Sequence, residues 1–165
     1  MKKTFIILIL SFIFFSNVSA ETKRIISGNK KAKITIIAYE SLTCSHCANF
    51  HIDVYPQLKK EYIDTGLAKI EFRHFPLDIA AFNASKIVQC KIDESLEILE
   101  SLYSNQQSWV KGNNVEEINN NLKIYIKNEG FDVDFEKCVN NKKIEDFVLN
   151  DRIEGAKKFK VNATP

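Results

Sequence analysis

Two apolar segments separated by a longer amphipathic one dominate the first half of the chain. Residues 32–39, AKITIIAY, are rich in β-branched side chains and predict a buried strand. Residues 69–75 alternate apolar and polar side chains and predict a second strand, which ends at Pro76. Between them, residues 44–64 show the spacing of an amphipathic helix and contain Pro56. This order predicts a right-handed βαβ unit whose helix is kinked at the proline.

The second half of the chain has a helical pattern. From residue 79 to about residue 158, apolar side chains recur every three or four positions, and no strand signal of comparable strength interrupts them. Breaks fall near residues 91–93, 111–114 and 128–132. We therefore predict about four helices that pack on one another as a lid, and an α/β fold class for the whole chain.

Residues 1–20 have the pattern of a secretory signal peptide. Two lysines precede an apolar run over residues 5–15, and small residues, Val18-Ser19-Ala20, stand before Glu21. The alternative is an uncleaved membrane anchor, but the run is shorter than the roughly 20 residues that span a bilayer as a helix. We expect cleavage before Glu21 and a soluble mature protein outside the cytoplasm, in the periplasm.

Composition and charge exclude several classes of protein. Hydrophobic residues make up 45% of the chain and charged residues 27%, which is typical of a folded soluble protein rather than a disordered one. The formal net charge is +2, and both of those charges come from Lys2 and Lys3 in the leader. The rest of the chain is balanced and has the length of one domain, residues 21–165. A nucleic-acid partner is therefore not expected.

The chemistry of the chain centres on Cys44-Ser45-His46-Cys47, at the start of the predicted helix. Residues three positions apart share a helix face, so the two sulfurs can form and break a disulfide. Cys44, in the first turn, is predicted to face solvent and attack, whereas Cys47 is shielded and resolves. A protonated His46 and the helix N-terminus are predicted to lower the pKa of Cys44, which makes the disulfide a stronger oxidant.

The same three side chains could instead bind a metal. Cys44, His46 and Cys47 are soft ligands for zinc or copper, and Cys90 or Cys138 could complete a site. The sequence contains no second C-x-x-C motif and no spaced histidine pair, so we predict no metal site.

The remaining cysteines and histidines admit two interpretations each. In an oxidising compartment Cys90 and Cys138 could form a structural disulfide; alternatively each is a small buried residue of its own helix. We favour the disulfide. His51 and His74 are predicted to have packing or surface roles rather than catalytic ones.

The segment from Ile36 to His51, IIAYESLTCSHCANFH, resembles the active-site segment of DsbA-type thiol:disulfide oxidoreductases. The likeness extends from about Arg24 to Pro165. It implies a thioredoxin-like fold with an all-helical domain inserted at about residues 79–158. In that family a cis-proline loop binds the substrate backbone, and Thr164-Pro165 matches it. The resemblance therefore implies a substrate-binding role for both residues and a cis peptide bond before Pro165.

Two features depart from the family. Many relatives have a carboxylate six residues before the first cysteine, where this chain has Ala38. Glu40 lies on the same strand face and could substitute for it, or could be an exposed turn residue. Family members also continue past the cis-proline with two strands and a helix, so the chain is expected to be a truncated form of the fold. The strand over residues 32–39 would then have an unpaired edge and an exposed apolar face.

The resemblance implies a periplasmic enzyme that introduces disulfide bonds into reduced exported proteins and is reoxidised by a membrane redox partner. Such dithiol–disulfide exchange between Cys44, Cys47 and substrate needs no cofactor. A disulfide isomerase or reductase is the nearest alternative, followed by a metal-binding protein and an inactive truncated fragment.

Overall fold

A three-stranded sheet forms the centre of the computed structural model, which describes residues 22–165. The strands are β1 (Ile25–Gly28), β2 (Ile34–Glu40) and β3 (Ala68–His74), arranged in the order β1, β3, β2. β2 and β3 run parallel, whereas β1 is antiparallel to β3. The predicted βαβ unit is confirmed. β1 was missed by the sequence analysis, and the predicted signal peptide lies outside the described residues.

One helical run with widened turns connects β2 to β3. α1 (Ser45–Asn49) continues as a π-helical turn over Phe50–Val54, α2 (Tyr55–Leu58) follows, and a second π-helical turn covers Lys59–Ile63. Pro56 lies in the first turn of α2. A proline has no amide hydrogen to donate and its ring crowds the carbonyl one turn earlier. The widened turn before α2 accommodates that ring while the run stays helical.

Residues 79–158 form the helical block. Its members are α3 (Ile79–Cys90), a 3₁₀ turn (Ile92–Glu94), α4 (Ser95–Ser104), α5 (Gln106–Trp109), α6 (Val115–Asn128), α7 (Phe135–Val139) and α8 (Lys142–Lys158). The number predicted, about four, was too low, because α5 and α7 are single turns too short to show a period. Side chains cap four of the helices by accepting backbone N–H bonds: Asp78 for α3, Asn114 for α6, Asp134 for α7 and Asn141 for α8.

β2 is less buried than the sequence predicted. It forms one edge of the described sheet, with Ile34 59% and Ile37 37% exposed. Only its last two residues, Tyr39 and Glu40, are buried. The prediction of a buried strand was therefore wrong for most of β2, because composition alone does not show how many neighbours a strand has. The expected open edge and apolar face are present in residues 22–165.

α8 packs against β3 and fixes the end of the sheet nearest the cysteines. Gly155 makes this approach possible, because a Cβ there would lie 2.8 Å from the Tyr39 ring. Asp151, which is 1% exposed, pairs with Arg24 and accepts a hydrogen bond from the backbone N–H of His74 at 3.2 Å. Close helix–strand contact and a buried carboxylate with partners just before β1 and at the end of β3 together hold α8 in place.

Candidate redox-active site

Cys44 and Cys47 lie where β2 ends and α1 begins. The chain turns through Ser41, Leu42 and Thr43, and the backbone N–H of Cys44 donates to the Ser41 carbonyl at 3.0 Å. Cys44 is the N-cap residue of α1, with an extended backbone conformation. Both cysteines have free thiols; Cys44 is partly exposed, whereas Cys47 is fully buried at 0%. This arrangement matches the predicted division between an accessible and a shielded sulfur.

The two thiols have pKa values that shift in opposite directions. Partial burial opposes ionisation of Cys44. Hydrogen bonds outweigh this effect and lower the pKa of Cys44; they come from Thr164, from the Cys47 thiol and from the backbone N–H groups of His46 and Cys47. Burial raises the pKa of Cys47 to about 12, despite a backbone hydrogen bond from Ser41. Of the two sulfurs, the accessible one therefore ionises more readily.

Thr164 and Pro165 face the cysteines across the site. The Cys44 thiol donates to the Pro165 carbonyl oxygen, with 3.6 Å between Sγ and O. The Thr164 hydroxyl oxygen is buried and has no other hydrogen-bond partner, so it is free to donate to the Cys44 thiolate. It acts to lower the pKa of Cys47 as well, but burial outweighs it there. The structure therefore brings together the residues that the resemblance assigned to this loop.

The peptide bond before Pro165 is trans, since the described residues contain no cis peptide bond. The expected cis geometry was wrong for this structure. Pro165 is exposed, so little packing opposes the intrinsic trans preference of about 0.5 to 1 kcal/mol for an X–Pro bond.

Side chains from the helical block anchor the turn that bears Cys44. The buried side chain of Gln106 donates to the carbonyls of Leu42 and Cys44 at 2.9 and 3.0 Å. The Thr43 hydroxyl donates to the Asp78 carboxylate at 2.6 Å. These contacts fix the carbonyls so that the amide N–H groups at the start of α1 point toward the sulfur. The roles of Gln106 and Asp78 were not predicted, because neither residue lies near the motif in the sequence.

His46 is exposed between the two cysteines. Its backbone N–H is among the groups that lower the pKa of Cys44. The predicted contribution of its imidazole stays a prediction.

Beneath the cysteines lies a buried pair, Glu40 and His51. Glu40 Oε2 and His51 Nε2 are 2.8 Å apart, and their side chains are 3% and 2% exposed. His51 stacks on Tyr103 with ring centroids 4.1 Å apart. Burial raises the pKa of Glu40, although the hydrogen bond from His51 counteracts it. Glu40 is therefore not an exposed turn residue, and His51 packs in the core as expected, with a carboxylate partner that the sequence did not show.

Tyr103 lies next to this buried pair and also feels charge on the cysteines. Burial raises the pKa of Tyr103 well above its ordinary value, and the charges of Glu40, Cys47 and Cys44 raise it further. Tyr103 therefore interacts electrostatically with the Glu40 carboxyl group and with both sulfurs. His51 Nδ1 is buried without a hydrogen-bond partner, whereas the Glu40 carboxyl group interacts with the Tyr103 hydroxyl as well as with His51.

The other singled-out residues lie in the helical block and on β3. Cys90 and Cys138 are joined by a disulfide with Cα atoms 5.6 Å apart, connecting α3 to α7. His74 is buried, its Nε2 is 3.2 Å from the Gln89 side-chain oxygen, and burial lowers its pKa to about 4. The Cys90–Cys138 disulfide and the buried His74 do not contact the two free thiols, and both have structural roles.

Within residues 22–165 no group of three or more histidine, cysteine, aspartate or glutamate side chains is arranged to hold a metal ion. The described helices include none that is both long and apolar enough to cross a membrane.

The fold and the paired thiols are typical of a thioredoxin-type protein, and comparison with known proteins agrees. A family model described as thioredoxin matches residues 20–165. The solved structure of Wolbachia pipientis α-DsbA1 has 34% sequence identity and a TM-score of 0.77, over 86% of this chain and 72% of that one. The chain therefore belongs to the thioredoxin family and, within it, to the DsbA-type proteins. The predicted resemblance and fold class are confirmed.

Curated relatives are similar over most of this chain but are longer. A putative protein-disulfide oxidoreductase of Rickettsia typhi is 29% identical over 142 residues, which is 84% of this chain and 51% of the relative. The probable disulfide bond formation protein D of Bacillus cereus is 29% identical over 147 residues, 84% of this chain and 66% of that protein. The chain thus spans about half to two thirds of the length of these relatives.

Proposed function

We propose that this chain is a thiol:disulfide oxidoreductase that introduces disulfide bonds into reduced exported proteins. The opposite pKa shifts of the two thiols carry the proposal: the accessible Cys44 has a lowered pKa, and the buried Cys47 has one of about 12. A sulfur that holds negative charge easily is a good leaving group, and one that is protonated and shielded does not compete with it. The names of the DsbA-type relatives support the same activity.

The reaction begins with the Cys44–Cys47 disulfide. A substrate thiolate attacks Sγ of Cys44, the bond between the two sulfurs breaks, and Cys47 leaves as a thiolate that takes up a proton. A second substrate thiolate then attacks the substrate sulfur of the mixed disulfide and releases Cys44 as a thiolate. The substrate loses two electrons and gains a disulfide, and the cysteine pair gains both electrons. The direction follows from the lowered pKa of Cys44, because it stabilises the reduced form.

Glu40 is the candidate in this proposal for the group that supplies the proton Cys47 needs. Its pKa is raised by burial, and its carboxyl group interacts with Tyr103, whose pKa is also raised by charge on the sulfurs. A Glu40→Gln variant, similar in shape, should form the mixed disulfide more slowly and lose the pH dependence due to the carboxyl group. An unchanged rate and pH profile would remove Glu40 from the mechanism.

The substrate backbone would lie against Thr164 and Pro165. Both residues face Cys44, and the Pro165 carbonyl already accepts a hydrogen bond from it. This placement gives an incoming peptide a backbone acceptor beside the reactive sulfur. In this proposal the leader, residues 1–20, directs the chain to the periplasm, and a membrane redox partner reoxidises the cysteine pair.

Single cysteine variants test the proposed activity. Cys47→Ser should trap a stable mixed disulfide at Cys44 when it is mixed with a peptide whose cysteine carries a disulfide-linked leaving thiol. The Cys44 thiolate displaces that thiol, and no second active-site sulfur is left to release the peptide. Cys44→Ser should trap none and should not oxidise substrate, and a Cys90→Ser/Cys138→Ser variant serves as the control with the site intact. Trapping through Cys47 would contradict the assigned roles. Absence of oxidation by the wild-type chain would contradict the activity itself.

N-terminal sequencing of exported protein should find Glu21 first.

A further inference from the structure

The end of the sheet opposite the cysteines is rich in lysine. It is formed by the turn between β1 and β2, residues 29–34, and by the segment that leads into β3, residues 59–69; we call these two segments the basic end. Together they contain six lysines and two acidic residues: Lys30, Lys31, Lys33, Lys59, Lys60 and Lys69, with Glu61 and Asp64. The positive charge is therefore local, because residues 21–165 are balanced overall.

The two segments of the basic end form one surface. The Lys69 ammonium group donates to the Lys30 carbonyl at 2.8 Å, which joins the β1–β2 turn to the start of β3. The second π-helical turn lies against the end of β1, since a Cβ on Gly28 would be 2.5 Å from Cγ2 of Ile63. A partner that contacts one segment therefore meets the other as well.

Large apolar side chains are exposed among these lysines. Ile34 and Leu67 are each 59% exposed, and Tyr62 is 47% exposed. Ile34 pairs with Ala68 in the parallel register, and Leu67 directly precedes Ala68, so both side chains lie at the same end of neighbouring strands. Exposed apolar side chains that are grouped in this way mark contact with a protein or a membrane. Lysine stems can lie along such a surface while the ammonium groups extend beyond it.

Acidic neighbours balance only part of the charge at the basic end. Lys59 forms an ion pair with Asp64. Lys30 lines a cleft whose other walls include acidic residues of the 3₁₀ turn and α4, Asp93 and Glu97. Lys31 and Lys33 are exposed and do not line that cleft. We therefore take Lys31 and Lys33 as the charges best placed to meet a negatively charged partner.

We infer that the basic end docks on the surface of a membrane that contains anionic phospholipids. Peripheral binding to such a surface combines electrostatic attraction with burial of apolar side chains, and the basic end offers both. All of its basic residues are lysines, which attract a layer of phosphates as point charges but lack the bidentate geometry of arginine. A nucleic acid is the less favoured partner, because its phosphate backbone would leave Ile34 and Leu67 without an apolar contact.

Docking in this way leaves the cysteines on the side away from the lipid. The basic end precedes the first residue of β2, whereas Cys44 follows its last, and seven strand residues span about 20 Å. Cys44 therefore stays open to soluble molecules while the chain is bound. The inference does not depend on the redox activity of the chain.

The test is co-sedimentation of the chain with vesicles of phosphatidylcholine, prepared with and without phosphatidylglycerol. Lys31→Gln/Lys33→Gln removes two charges from the basic end, and Lys127→Gln/Lys157→Gln removes two from exposed positions of the helical block as the matched control. Leu67→Ser removes an apolar contact, and Ile124→Ser, at a side chain 49% exposed on α6, is its control. Every protein is purified in the same form, so any contribution of residues 1–20 is common to all.

We expect the wild-type chain to bind only the vesicles with phosphatidylglycerol, and less as the salt concentration rises. Lys31→Gln/Lys33→Gln should bind about tenfold to thirtyfold more weakly, the effect of two lysines near an anionic surface. Leu67→Ser should also bind more weakly than Ile124→Ser, and the control lysine variant should bind like the wild type. The inference is wrong if both kinds of vesicle bind the chain equally, or if both lysine variants bind alike.

A second set of measurements tests the orientation and the nature of the partner. The rate at which iodoacetamide alkylates reduced Cys44 should be the same with and without vesicles, and slower alkylation on vesicles would mean that the other end of the sheet faces the lipid. Glycerol phosphate and a DNA duplex are added at the phosphate concentration of the vesicles. Neither should displace the chain; displacement by glycerol phosphate would indicate a headgroup pocket and displacement by DNA a nucleic-acid partner, and either result would overturn the inference.

Discussion

Replacement of Thr164 by valine removes a side-chain hydroxyl that acts to lower the pKa of each sulfur, an effect that burial outweighs at Cys47. Valine keeps the branched shape and loses only the donor. A hydrogen bond to a charged group contributes about 1.5 to 3 kcal/mol, and the Cys44 thiolate loses that stabilisation in the reduced form. Because 1.4 kcal/mol corresponds to about 30 mV for a two-electron couple, the reduction potential should fall by about 30 to 60 mV.

The assay is equilibration of each variant with glutathione mixtures, followed by alkylation of free thiols and mass measurement. The ultraviolet absorbance of the thiolate, followed against pH, should show a raised pKa for Cys44 in Thr164→Val. Thr164→Ser keeps the hydroxyl and should stay close to the wild-type values in both measurements. A potential for Thr164→Val that equals the wild-type value, or is more positive, would refute the role given to this hydroxyl.

Three further predictions concern stability. Replacing Cys90 and Cys138 by alanine should lower the free energy of unfolding by about 4 kcal/mol in the loop-entropy model, with the glutathione equilibrium of the active-site pair still measurable. His74 stays neutral in the folded state down to its pKa of about 4, whereas the unfolded state binds a proton below about pH 6.5. Stability should therefore fall by about 3 kcal/mol from pH 6.5 to pH 4, and His74→Gln should flatten that part of the denaturation profile. Gly155→Ala should lower the melting temperature, because its Cβ would meet the Tyr39 ring at 2.8 Å; a higher melting temperature would contradict this packing.

The local parts of the fold were predictable because their signals are local. The βαβ unit follows from one β-branched run, one alternating run and the helical spacing between them. β1 was missed because Ile25–Gly28 is only four residues long and follows no turn signal of its own. The exposure of Ile34 and Ile37 was mispredicted because a run of β-branched residues does not reveal whether a strand has one neighbour or two.

The candidate site, like the fold, was predictable only in its local parts. The spacing of Cys44 and Cys47 is visible in the sequence, and the position of Cys44 before the helix predicts which sulfur is accessible. The contact between Glu40 and His51 depends on how the helical run packs on β2, which no pattern in either segment specifies. Gln106 reaches the carbonyl of Cys44 from 62 positions away, so its anchoring role needs the tertiary structure.

The reduction potential of the Cys44–Cys47 pair tests the central claim most directly. The purified chain is equilibrated across a glutathione series, and the fraction of the pair that is oxidised is read after alkylation. The lowered pKa of Cys44 predicts a strongly oxidising pair, on the order of −120 mV, as in proteins that donate disulfides. A potential near about −270 mV, typical of a reductant, would contradict the account.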